Sequence, residues 1–263
     1  MFMRATTRSA LLGTSLALAV TAVGATSAQA DDGGAGDITI DKVVVNGGKP
    51  VVVGTTNVVS AKVSVTATDN SGIAKTSYIS GDGPGPNYAT IWYDDGDITC
   101  VKVSATTSTC SGTLTFDPQG STGFADNAAA GTWNLGALVS ANDFDYIHRD
   151  AATTFKVQRA SKLTVNASPE PVKKGKTITV TGKLSRANWE DNLYHGYTGQ
   201  SVKLQFRKKG SSTYTTVKTI KTDSTGNLKT TVTAAGDGYF RYSFAGTSTT
   251  PAVNAAGDFV DVQ

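Results

Sequence analysis

Histidine, cysteine and methionine each occur only twice in the 263 residues. His148 and His195 are far apart in the sequence, so neither a histidine-dependent triad nor a multi-histidine zinc site can be assembled locally. No Gly-x-Ser-x-Gly elbow, His-Glu-x-x-His helix or phosphate-binding Gly-Lys loop occurs. Beyond residue 30 no run approaches the ~18 apolar residues that a membrane-spanning helix needs. Glutamate is missing from residues 31–160, where every acid is an aspartate. Two methionines beside 28 glycines disfavour long helices and exclude a helix bundle.

What is present favours strands. Hydrophobic residues make up 39% and charged residues 17%, enough apolar content for packed cores and too little charge for disorder. Thr, Ser and Val are abundant between glycine-rich turns, the composition of many short strands.

The first thirty residues read as a secretory signal peptide. Arg4 and Arg8 precede the Leu/Ala/Val-rich stretch from Ser9 to Val23, and Ala28-Gln29-Ala30 supplies a small-x-small cleavage site before Asp31. The expectation is a secreted, extracellular protein without a membrane span.

Arg4 and Arg8 are the only charges in that stretch, so 22 of the 24 basic residues and all 21 acidic ones lie beyond it. They are unevenly placed. Residues 31–160 carry 14 acids and 8 bases, residues 161–263 carry 7 acids and 14 bases. Opposite net charge predicts either docking of the two halves or attraction of the basic half to an anionic polymer, with simple solubility as the plain alternative.

Two strand-rich modules in series are predicted, residues 31–160 and 161–263. In the first, strand-length runs fall at Ile38–Val45, Val51–Val53, Val58–Thr68, Ile73–Ser80, Tyr88–Tyr93, Ile98–Ala105, Thr113–Phe116, Thr132–Val139 and Thr153–Val157. In the second they fall at Leu163–Ala167, Thr177–Leu184, Ser201–Lys208, Tyr214–Thr222, Asn227–Ala234, Gly238–Ala245 and Phe259–Val262. Seven is the strand count of a constant-type immunoglobulin sandwich. Without intervening amphipathic helices, the fold class is all-β, two antiparallel sandwiches in tandem. Pro169 and Pro171 interrupt any continuous strand and are expected to stiffen the entry into the second module.

The segment from Val63 to Ile73, with Thr66-Ala67-Thr68-Asp69-Asn70-Ser71-Gly72 at its centre, resembles the strand-turn of bacterial immunoglobulin-like domains. Gly131-Thr132-Trp133 leading to Ala141-Asn142-Asp143 resembles a later strand of the same domains. Gly182-Lys183-Leu184, Gly199 to Phe206, Thr222 to Gly226 and Gly238 to Arg241 resemble an immunoglobulin-like repeat of secreted proteins from high-GC Gram-positive bacteria. The resemblance implies two immunoglobulin-like folds, a role as spacer, adhesin or appendage, and for some such proteins a calcium-binding label.

Cys100 and Cys110 flank the polar segment Thr106-Thr107-Ser108-Thr109, read as a turn, and are expected to pair as a disulfide in an exported chain. Calcium candidates are aspartates beside turn carbonyls: Asp94, Asp95 and Asp97 first, then Asp69 with Asn70, and Asp143 with Asp145. None has the spacing of an EF-hand. Aromatic candidates for a ligand are Trp189, Tyr194, His195 and Tyr197 on one connection, and Tyr88, Trp92 and Tyr93 on another, weighed against ordinary packing. Lys173, Lys174, Lys176, Lys208 and Lys209 carry the basic charge of the second module, suited to an acidic wall polymer rather than to nucleic acid.

The sequence thus reads as a secreted, non-enzymatic immunoglobulin-like protein, a binding or structural component with cell-wall polymer, carbohydrate or another extracellular protein as partner. No cofactor is expected other than Ca²⁺. The rival readings are a calcium-binding module and a carboxylate-dependent secreted hydrolase built on the aspartates.

Overall fold

A computed structural model describes residues 32–84, 90–94, 98–120 and 126–263, the strand at 90–94 by its backbone. The leader read at residues 1–30 lies outside the described residues.

Alternation in the sequence becomes two faces in each sheet. In β4 (Val59–Thr68) the side chains of Ala61, Val63, Val65 and Ala67 are buried while Lys62 between them is exposed, as the period of two along a strand demands. The same alternation buries Val202 and Leu204 in β15 (Ser201–Lys208), and Phe240, Tyr242 and Phe244 in β18 (Gly238–Phe244).

The first sandwich consists of two sheets. One has the order β2 (Thr39–Val45), β4, β8 (Thr107–Phe116), β7 (Thr99–Lys102). The other runs β1 (Gly33–Ala35), β10 (Tyr146–Arg159), β9 (Gly131–Ala141), β5 (Ile73–Asp82), β6 (Thr90–Asp94), with β3 (Val51–Val53) parallel to the far end of β10. In immunoglobulin lettering these are A-B-E-D facing G-F-C-C′, the two-sheet arrangement of that fold. The core between them holds Trp133, Phe116 and Phe155, with the Phe116 and Trp133 rings edge to face at 5.4 Å.

The second sandwich places β12 (Asn166–Ser168) and β17 (Asn227–Thr233) on either side of β13 (Thr177–Asn188). Opposite lies the sheet β16 (Thr215–Lys221), β15, β18, with β19 (Val253–Asn254) and β20 (Asp258–Val260) along the outer edge of β18. Here the fourth strand, β16, pairs with β15 rather than β17, so the sheets hold different strands from a constant-type domain although the strand count suggested one. Tyr242 is fully buried and donates its hydroxyl to the Val180 carbonyl at 2.9 Å. Burial pushes its pKa up to about 12.

Cys100 and Cys110 are disulfide-bonded and stand directly opposite each other on β7 and β8. The segment read as a turn between them is different in the structure. Thr107–Thr109 belong to β8, and the Thr109 and Thr107 hydroxyls bond those of Thr66 and Thr68 on β4 at 2.8 and 2.9 Å. A polar strand is stable there because its hydroxyls find cross-strand partners.

The passage between sandwiches is almost a single strand. β10 ends at Arg159, and β11 (Ser161–Leu163) begins two residues on, paired with β13. Pro169 and Pro171 lie further along, after β12, within the second sandwich. Around the join the Arg159 Nε donates to the Ala187 carbonyl at 2.6 Å, the Gln158 amide to the carbonyls of Thr247 and Ser248, and the Ala160 N–H to Val53 at 2.8 Å. Burial first, and the neighbouring Arg186 second, pull the Arg159 pKa down to about 10, which still leaves it charged at neutral pH. Trp189, just past β13, is 1% exposed and belongs to the core of the first sandwich. Its indole Nε1 donates to the Gly54 carbonyl at 2.9 Å, and its backbone N–H to the Asn127 side chain at 3.1 Å.

The ion pairs of the described residues, Arg149 with Asp32, His148 with Asp150, His195 with Asp191 and Lys209 with Asp237, each lie within one sandwich. Packing and hydrogen bonds to carbonyls hold the join.

Candidate functional site

In a sandwich of this lettering the B–C and F–G turns share one end. The β4–β5 and β9–β10 turns accordingly meet. Asn142 donates its backbone N–H to Gly72 and its side-chain amide to Ser71, at 3.0 and 2.8 Å, and the Asp143 N–H reaches the Ser71 hydroxyl at 3.2 Å. The connection from β1 to β2 arrives at the same end. Gly36, at φ +85°, makes that approach, since a Cβ there would overlap the Asp145 carboxylate. The Asp37 N–H then donates to Asp145 Oδ2 at 2.9 Å, and Asn70 Nδ2 donates to Asp37 Oδ2 at 2.9 Å.

These three segments bring Asp37, Asp69 and Asp145 together, with one oxygen of each within 4.8 Å of the others. Asp69 is 1% exposed. Its Oδ1 accepts from the Ser71 N–H and hydroxyl at 2.7 and 2.6 Å, while its Oδ2 is buried with no hydrogen-bond partner among the described residues. None of the three carboxylates is paired with a Lys, Arg or His among the described residues.

Beside this cluster lies an open groove of about 720 Å³ on the β10-β9-β5 face, lined by Tyr78, Leu138, Tyr146, His148 and the tip residue Phe144. Phe144 is 92% exposed and stands in the left-handed region at φ +74° between Asp143 and Asp145. Tyr146 is also exposed. On the groove floor the Tyr78 hydroxyl bonds His148 Nε2, and Asp150 Oδ1 lies 3.0 Å from that same nitrogen. Tyrosine and aspartate converge on one ring nitrogen instead of taking one each, so the trio does not form a relay of the Ser-His-Asp kind. Burial first, then Asp150 and Asp82, raise the Tyr78 pKa, the direction that makes a phenol a poorer nucleophile.

The sequence-derived candidates are dispersed. Asp95 and Asp97 lie outside the described residues, as does the side chain of Asp94 on β6. Trp189 requires a correction as a ligand candidate, because its ring fills the join and has no free face. Tyr194 is half-buried against the first core with the Lys162 ammonium 3.8 Å from its ring centre, and burial raises its pKa. Tyr197 lies under the Arg186 guanidinium at 4.0 Å and edge-on to Phe244. His195 is exposed and bonded to Asp191 at 2.6 Å. Of this connection Trp189 and Tyr194 pack against the first core, whereas Tyr197 packs against the second. Lys173, Lys174, Lys176, Lys208 and Lys209 are exposed, with Lys209 paired to Asp237.

Asp37 and the meeting of all three carboxylates went unread in the sequence, although Asp69 and Asp145 were separate candidates. The signal was topological, since two aspartate-bearing turns at B–C and F–G positions must share an end.

No protein-family model matches the chain, and neither does any curated protein. Among solved structures, it is similar to the adhesin InvE of Yersinia pseudotuberculosis at 14% identity and a TM-score of 0.27, covering 83% of this chain and 58% of that one. It is similar to the D00-D0 domain of intimin at 13% identity and a TM-score of 0.26, covering 83% of this chain and 99% of that one. The chain spans less than two thirds of the InvE chain. Likenesses this distant carry neither ligand nor activity to the present chain.

Proposed function

We propose that the chain is an extracellular, non-enzymatic binding or structural protein in which the join fixes the second sandwich as a rigid base and the far end of the first sandwich presents the groove beside Phe144. The observation that carries this reading is the seating of Trp189 in the core of the first sandwich. A side chain buried across a join removes the hinge that two independent modules would have, which suits a presenting element. β10 runs from the groove to the join, roughly 40 Å at the usual rise per residue.

Three further features support it. The exposed Phe144 and Tyr146 lie at the end where variable-type immunoglobulin domains place their binding loops. The Tyr78–His148–Asp150 trio lacks the geometry and the pKa direction of an activated nucleophile. The Cys100–Cys110 disulfide suits an oxidising exterior. The partner class is an envelope component: wall polymer, carbohydrate or another extracellular protein.

The test is binding of the full chain to isolated wall polymer, carbohydrate arrays and envelope proteins, in parallel with its Phe144→Ser variant and a panel of hydrolase substrates. Saturable binding that the variant loses is the expected result. Turnover of a panel substrate that Asp150→Asn abolishes would overturn the reading.

A further inference from the structure

We infer that Asp37, Asp69 and Asp145 form a Ca²⁺ site at the end of the first sandwich, tying the β1–β2 connection to the β4–β5 and β9–β10 turns. Three observations lead there. One oxygen from each carboxylate lies within 4.8 Å of the others, a spacing that a single cation can span. The donor set is oxygen alone, which selects a hard cation over zinc or copper. Above all, Asp69 Oδ2 is buried without a partner, inside a residue that is only 1% exposed.

A buried carboxylate oxygen without a hydrogen bond is costly, and two further carboxylates beside it add repulsion. The surrounding hydrogen bonds do not relieve this. They hold the carboxylates by their other contacts: Ser71 engages Asp69 Oδ1, the Asp37 N–H engages Asp145, and Asn70 engages Asp37. No basic side chain among the described residues neutralises the group. A divalent cation is the species that would satisfy the orphan oxygen and the excess charge together. Three carboxylates are fewer than the six to eight oxygens Ca²⁺ takes, so water completes the shell and the affinity belongs to the range of about 10⁻⁴–10⁻³ M found for extracellular modules. Mg²⁺ fits less well, because it demands near-ideal octahedral geometry and gives up water reluctantly.

The site lies next to Phe144 in sequence and in space, so the ion would fix the hairpin tip that bears the groove's most exposed ring. The inference does not depend on what the groove binds, and its test reads the ion directly.

The full chain, stripped with a chelator, is titrated with CaCl₂ while the melting temperature and the backbone amide resonances of residues 36–38, 69–72 and 142–146 are followed. The expected result is a saturable rise in melting temperature at about millimolar Ca²⁺, with resonance shifts confined to those segments and a weaker response to MgCl₂. Asp37→Asn and Asp145→Asn, both at more accessible positions, should each weaken the response about tenfold or more, whereas Asp223→Asn in the second sandwich should leave it intact. Asp69→Asn provides a second signature: its amide can donate where the orphan oxygen could not, so in chelator it should melt above the wild type and no longer respond to Ca²⁺. No wild-type response up to about 10 mM CaCl₂, or a response retained in both Asp37→Asn and Asp145→Asn, would overturn the inference.

Discussion

Trp189 of the second sandwich donates its indole N–H to Gly54 of the first across 2.9 Å, with the ring buried to 1%. One module therefore completes the hydrophobic core of the other. Trp189→Ala should destabilise the chain by about 3–5 kcal/mol, the range for emptying a buried aromatic position. It should also split the calorimetric transition in two, because the lost volume lies at the seam. Trp189→Phe keeps most of the packing and loses the hydrogen bond, leaving the Gly54 carbonyl unpaired, at about 1–3 kcal/mol. A single transition with an unchanged midpoint in Trp189→Ala would show that Trp189 does not couple the two sandwiches.

The join also determines how the protein should respond to salt. No ion pair of the described residues crosses it, and the crossing bonds end on carbonyls. Small-angle scattering profiles should superimpose between low salt and about 1 M, where the Debye length is only ~3 Å. Expansion at high salt would restore the charge asymmetry as the docking force.

Cys100 and Cys110 close a loop with a sequence separation of 10 on two strands that are already paired. In the chain-entropy account such a loop stabilises by about 2–3 kcal/mol. Cys110→Ser should lower stability by about that amount and leave the second sandwich's transition untouched in a Trp189→Ala background, as read by denaturant unfolding. A loss in both transitions would contradict this.

Tyr242 should help to set the alkaline limit. Its folded pKa is about 12 against an ordinary 10. The folded state therefore holds the proton more tightly than the unfolded one. That contribution is complete below pH 10 and is lost as pH rises through 12. Phenolate absorbance should show Tyr242 among the late-titrating tyrosines, its ionisation accompanying unfolding. Tyr242→Phe should weaken the chain by about 1–2 kcal/mol at neutral pH, through the unpaired Val180 carbonyl, and flatten the alkaline fall. An equally steep fall in the variant would assign the limit to another group.

Most strands were legible because one face is buried. Val51–Val53, β4 and β15 carry their alternation openly, and turn residues such as Asp69-Asn70-Ser71-Gly72 mark their ends. Strands that rely on hydroxyl partners were read short or missed. β8 begins at Thr107, where nothing apolar announces it, and β10 begins at Tyr146, where His148, Arg149 and Asp150 mask the period. β1 and β14 (Leu193–Gly196) are edge pieces too short to show a period of their own. The site was half legible. Asp69 and Asp145 could be picked out as turn aspartates, but Asp37 joins them only through a chain path that local pattern cannot report. Trp189 looked like a surface aromatic because the loop around it is polar, but its own N–H groups reach Asn127 and Gly54 and the preceding Asn188 accepts from the Asn127 amide.

The parallel pairing of β3 with the last residues of β10 has a mechanical consequence. Val51, Val52 and Val53 stand opposite Val157, Gln158 and Arg159 with both strands pointing the same way. Tension drawn on the chain from both sides would first have to strip β1 from β10 and β2 from β4, and would then pull on Val51 and Arg159 from opposite ends, so that β3 and β10 are drawn past one another lengthwise. The hydrogen bonds between them would then bear load together instead of opening one after another, as a zipper does. Under traction the β1 and β2 edges would thus yield before β3, and this short parallel clamp would resist next, giving way abruptly because its bonds share the load.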